Sequence, residues 1–175
     1  MLPGCIISFF LFTAVYAAPS FFTRDETKAY VARFSGVVEG SVKFTSTGGG
    51  AGVSIDYKLF VPNNLLGPFS YHIHENPVPA DGNCAGTGGH FDPFKPNSPR
   101  TGCDRSKSWT CEIGDLSGKL YPFPQSTTDS PSLTATLRDP WISVIPGNAA
   151  FIGGRSIVVH NINKDRIGCA TLVPL

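Results

Sequence analysis

Apolar and polar residues alternate over short stretches along much of this chain. From Val53 to Val61 the alternation is complete: Val53, Ile55, Tyr57, Leu59 and Val61 share one face of a strand. Tyr30–Phe34 and Ser41–Thr45 alternate or carry β-forming residues, and Gly48-Gly49-Gly50-Ala51-Gly52 then turns the chain. Phe69–His74, Leu133–Leu137 and Ser156–His160 predict further strands. Residues 75–118 read mostly as loop, and no window sustains a helical period with caps. Short strands broken by Gly and Pro turns predict an all-β sandwich or barrel. A loop this long inside one domain is usually functional or pinned in place.

Composition narrows the class. Hydrophobic residues make up 41% of the 175, enough to bury a core. Charged residues are only 15% and the formal net charge is +1, so neither nucleic acid nor an anionic membrane is indicated as a partner. The apolar run Ile6–Val15 is too short to span a bilayer and leads into Val15-Tyr16-Ala17, a cleavage-like spacing. Residues 1–17 are therefore expected to be a signal peptide, although no Lys or Arg lies near Met1. Residues 18–175 then form a single secreted domain. The last residues, Ala170–Leu175, lack the spacer and apolar tail of a lipid-anchor signal, so no membrane anchor is expected. Nothing in the sequence specifies an oligomer, and a monomer is the simplest expectation.

Removing the leader removes Cys5 and leaves Cys84, Cys103, Cys111 and Cys169. An even number in a secreted chain reads as two disulfides, with three possible pairings. The short separation of Cys103 and Cys111 favours their pairing, which leaves Cys84 with Cys169. Thiolate ligation of a metal is disfavoured, since the paired Cys-x-x-Cys spacing of zinc sites is missing.

The candidate chemistry lies in the four histidines. His72 and His74 are two apart on a strand and so point to the same side, where two imidazoles can grip one metal. Such a pair is common by chance. His90, in Gly88-Gly89-His90-Phe91-Asp92-Pro93, and His160, closing the apolar strand Ile157-Val158-Val159, are the only other histidines.

Taken together, Tyr71-His72-Ile73-His74, Cys84 ahead of His90-Phe91-Asp92-Pro93, Gly114-Asp115-Leu116, Gly154-Arg155-Ser156-Ile157-Val158-Val159-His160 and Arg166-Ile167-Gly168-Cys169 resemble the copper/zinc superoxide dismutase family in order and spacing. The resemblance implies a flattened Greek-key antiparallel β-barrel, an immunoglobulin-like sandwich. It implies copper ligation by His72, His74, His90 and His160, a Cys84–Cys169 disulfide, and an anion-guiding role for Arg166.

Two departures sharpen the reading. In the family the counterpart of His90 bridges copper to zinc, but this sequence has no histidine left to complete a zinc site. The lost zinc-ligand positions align near Ser98 and with Glu112, and only Asp115 keeps the family residue type. Asp115 is expected to cap the turn before Leu116. Only five residues separate His160 from Arg166, where usual family members carry a long charged loop. Both losses resemble the copper-only, secreted branch best known from fungi.

The implied activity is dismutation of superoxide to oxygen and hydrogen peroxide by one copper per chain, with no zinc, for extracellular antioxidant defence or peroxide production. Glu112 is expected to hydrogen-bond the outer nitrogen of His90, a role second-neighbour carboxylates commonly take at metal-bound histidine. His90, Glu112 and Arg166 are thus the expected catalytic residues. Arg155 is expected to tie its strand to the disulfide loop, and Trp109 and Trp141 to serve in packing. A copper carrier using the same histidines is the rival function, and an inert domain is disfavoured because no ligand position is lost. The copper donor has no signature in the sequence.

Overall fold

The computed structural model describes residues 28–48, 52–94, 102–125 and 132–175. The expected signal peptide and Ser98 lie outside the described residues. Among the described residues eight strands run in order: β1 Ala29–Phe34, β2 Glu39–Ser46, β3 Val53–Phe60, β4 Ser70–His74, β5 Ser132–Asp139, β6 Ser156–His160, β7 Arg166–Thr171 and β8 Val173–Pro174. They form two sheets, one ordered β5-β3-β2-β1-β8 and the other β4-β6-β7. The pairings are antiparallel, and the chain passes from the large sheet to the small one after β3, back for β5, and out again for β6. This is the all-β antiparallel architecture the strand pattern predicts.

The inward faces follow the alternation. Val53, Ile55, Tyr57 and Leu59 are all buried, as is Val61 just past the end of β3. The small sheet contributes Tyr71, Ile73, Ile157 and Val159 to the same core. Aromatic rings join the layers: Tyr57 meets Tyr71 edge-on at 5.1 Å between centroids, and Phe123 stacks on Tyr71 at 4.5 Å. Fully burying an apolar side chain of this size is worth roughly 1.5–3 kcal/mol. At Gly40, with φ +110°, a Cβ would collide with the carbonyl of Lys58 across the β2–β3 pair, so only glycine fits there.

Several elements depart from the sequence reading. β7 escapes a periodicity search because its positions serve other ends. Cys169 is in a disulfide, and Gly168 lies where a side chain would strike Val38. Among the described residues, the helical turn α1 Leu116–Lys119 and two 3₁₀ turns, Cys84–Thr87 and Arg105–Thr110, interrupt the expected loop. Trp109 is 59% and Trp141 38% exposed, so neither packs in the core. The Trp141 indole instead donates to Ser108 Oγ.

Two covalent bonds and one buried ion pair fasten the long loop. Cys84–Cys169 ties it to β7, and Cys103–Cys111 closes a short loop. The longer bond is worth about 4 kcal/mol in the loop-entropy picture. Lys119 and Asp139 are almost fully buried and lie 2.6 Å apart. The ammonium of Lys119 also donates to the carbonyl of Ile113 at 2.7 Å, which holds down the backbone next to Glu112.

Candidate metal centre

β4 presents His72 and His74 on the outer face of the small sheet, because Tyr71 and Ile73 are committed to the core. Antiparallel pairing sets Ser70 opposite His160 and His72 opposite Val158, so His160 emerges on the same outer face. His90 arrives from the loop through an isolated antiparallel bridge with His74. One ring nitrogen from each of the four histidines lies within 4.8 Å of the others.

A closed ring of three backbone hydrogen bonds sets this geometry. Ile73 N–H donates to Gly114 O (2.9 Å), Gly114 N–H to Phe91 O (2.7 Å), and Phe91 N–H to Ile73 O (2.8 Å). Each member lies next to, or within two residues of, a site residue: His72 and His74, His90, and Glu112. Gly114 is required because a Cβ there would collide with the backbone of Ile73 and Phe91.

The outer nitrogen of each ring has a partner. His74 Nδ1 lies 3.0 Å from Gly88 O and 3.2 Å from Thr87 Oγ1, and His160 Nδ1 lies 3.2 Å from Lys164 O. A carbonyl only accepts, so both Nδ1 atoms carry the proton and both Nε2 atoms present lone pairs. His90 Nδ1 lies 2.6 Å from Glu112 Oε2, and His72 Nε2 lies 3.2 Å from Ser117 Oγ. The inner atoms His72 Nδ1, His74 Nε2 and His160 Nε2 are buried without a hydrogen-bond partner among the described residues. Three unsatisfied buried nitrogens converging on one point are uncommon and call for an explanation. A metal ion held by His72, His74, His90 and His160 would satisfy them.

Burial favours the neutral form of three of the rings. Burial, reinforced by the neighbouring imidazoles, pushes His72 down to about 2 and His74 to about 4, and burial also lowers His160. Neutral imidazole is the metal-binding form. An all-imidazole set with neither thiolate nor carboxylate suits copper. On the far side of His90, Glu112 and Asp115 line a cavity of about 210 Å³ together with Gly102, Cys103 and Thr110. Asp115 caps α1 by accepting from Gly118 N–H at 2.8 Å, and its Oδ1 also stands 3.5 Å from His72 Nε2.

Arg166 pairs in register with His160. Its guanidinium donates to the carbonyls of Cys84 (2.7 Å), Ala85 (3.2 Å) and Gly88 (2.8 Å) and to Thr87 Oγ1 (3.0 Å). The disulfide-pinned turn therefore fixes both Arg166 and the outer nitrogen of His74. Arg155 bonds the carbonyls of Glu75 and Phe151 and stacks over Phe91, which joins β6 to the loop bearing His90. The sequence reading missed Thr87 and Ser117, each of which acts through a single hydroxyl and has no motif of its own, and it took Gly114 as part of a motif without its role in close backbone approach.

The comparisons with known proteins agree with this geometry. Residues 38–170 match the family model described as copper/zinc superoxide dismutase. A cell surface Cu-only superoxide dismutase from Arthroderma benhamiae is 36% identical over 158 residues, covering 76% of this chain and 42% of the relative. Cell surface Cu-only superoxide dismutase 5 of Candida albicans is 37% identical over 140 residues, covering 79% and 56%. The chain thus spans about half the length of these curated relatives. The solved Cu(II) structure of Candida albicans superoxide dismutase 5 superposes with a TM-score of 0.72 at 34% identity, covering 85% of this chain and 93% of that one.

The depressed histidine values have a measurable consequence. In the unfolded chain these rings protonate near pH 6.5, whereas folded His72 and His74 stay neutral to far lower pH. Between pH 6.5 and about 4 the unfolded state therefore binds more protons, and metal-free stability must fall as pH falls. The Tm of metal-free protein should drop across this window, and less steeply for His72→Asn. Parallel curves for the two proteins would contradict the assignment. On motif, fold and buried imidazole cluster together, the chain belongs to the copper/zinc superoxide dismutase family.

Proposed function

We propose that this chain is an extracellular copper-only superoxide dismutase, holding one copper and no zinc. The observation that carries the reading is the cluster of four imidazoles with three buried, partnerless nitrogens aimed at one point. Support comes from relatives named Cu-only superoxide dismutases. Further support is that no histidine remains for a zinc site, since all four converge on one cluster. The expected leader at residues 1–17 and the cell-surface names of the relatives support export.

His72, His74, His90 and His160 would hold the copper. Copper there would supply a one-electron couple suited to oxidising one superoxide to oxygen and reducing a second, with two protons, to hydrogen peroxide. The chain contributes the rest. Glu112 accepts a hydrogen bond from His90 Nδ1–H, fixing the ring and holding a proton at that atom. Both side chains are about a third exposed (32% and 30%), so that proton exchanges with solvent. Four hydrogen bonds hold the Arg166 guanidinium in place to attract and orient the superoxide anion.

The direct test is elemental analysis of copper-loaded protein beside the rate of superoxide decay followed optically. The expected result is one copper per chain, no tightly bound zinc, and catalysed decay that the metal-free protein does not show. Bound copper without faster decay would favour a carrier, and tightly bound zinc would overturn the copper-only reading. Glu112→Gln keeps the shape and removes the charge. It should lower copper retention or turnover about 10- to 100-fold, as loss of such supporting partners typically does. Wild-type values for both would remove Glu112 from the mechanism.

A further inference from the structure

His72 differs from the other three rings. It faces the cluster with Nδ1 rather than Nε2, and Nδ1 is its buried, partnerless nitrogen. For Nδ1 to present a lone pair, the proton must sit on Nε2. An isolated neutral imidazole can carry its proton on either nitrogen, so the state of His72 depends on what Nε2 meets.

Among the described residues, two groups stand near Nε2. Asp115 Oδ1 is 3.5 Å away and already accepts from Gly118 N–H at 2.8 Å as the cap of α1. Ser117 Oγ is nearer, at 3.2 Å, and Ser117 is buried. Its position is built from several sides. The Asp115 cap and the bond from Leu120 N–H to Leu116 O shape α1, and Lys119 fastens that turn to Ile113 O and Asp139. Arg105, from the Cys103–Cys111 loop, donates to Ser117 O at 3.3 Å and stacks on Tyr121 at 3.9 Å. The short disulfide loop and the turn α1 thus converge on a hydroxyl that touches His72.

We infer that Ser117 is a positioning residue for the metal centre: its hydroxyl accepts from His72 Nε2–H and keeps Nδ1 bare toward the metal. This rests on the copper reading above. Without the hydroxyl, the ring redistributes its proton between the two nitrogens and turns more freely, so copper(II) binds more weakly and in altered geometry.

The test compares wild type, Ser117→Ala and Asp115→Asn in three measurements. These are copper(II) affinity by chelator competition, the copper(II) EPR spectrum, and nitrogen-15 NMR of the metal-free histidines. Ser117→Ala should weaken copper(II) binding about tenfold or more and shift the EPR hyperfine splitting, while wild-type His72 shows its proton on Nε2. An unchanged affinity and spectrum in Ser117→Ala would overturn the inference, as would a change confined to Asp115→Asn. Wild-type NMR placing the proton on Nδ1 would overturn it without any variant needing to fold. A wild type that binds no copper(II) refutes the proposed function instead, and the NMR measurement then decides Ser117's role alone.

Discussion

Three backbone hydrogen bonds, among Ile73, Phe91 and Gly114, are the constraint on which the site depends. They lock a core strand, the disulfide-pinned loop and the segment bearing Glu112 into one rigid junction. Backbone bonds in a buried, closed ring tolerate little drift, because an unmade one leaves a desolvated donor or acceptor. Gly114 makes the junction possible, since a side chain there would force the three segments apart. The remaining fastenings, namely the Lys119 bond to Ile113, the cap by Asp115 and the bond Cys84–Cys169, brace the three segments from outside.

The junction has an energetic consequence. It holds several imidazoles together in a partly dry place with inward nitrogens unsatisfied, which opposes folding of the metal-free chain. The same unsatisfied lone pairs form a ready donor set, so metal binding relieves what folding imposes. Core packing and two disulfides make that tolerable in a β-sandwich of this size. Stability and metal affinity thus pull against each other at the same atoms, and the rigid junction keeps the site open rather than collapsed.

Much of this was legible in the sequence. The alternation of β3 marks its buried face, and His72-Ile73-His74 declares two rings on one side. Glu112 is legible only through the resemblance to the family, and its Oε2 lies 2.6 Å from His90 Nδ1. What escaped has physical reasons. β7 carries glycine and a disulfide cysteine where a strand search wants alternating apolar residues. α1 is a single turn, too short for any period. Ser117 and Thr87 act through one hydroxyl each, and their importance exists only once the chain is folded. The tryptophans were misread because size suggested packing, while their place beside a surface turn leaves them exposed.

The central claim is that the junction forms before metal arrives and fixes the imidazoles. Amide hydrogen exchange of metal-free protein, read residue by residue, measures it most directly. The account predicts that the amides of Ile73, Phe91 and Gly114 exchange as slowly as those of the β2–β3 core and change little on adding copper(I). Exchange as fast as in surface loops, with protection appearing only on copper addition, would show that the metal builds the site and contradict the account.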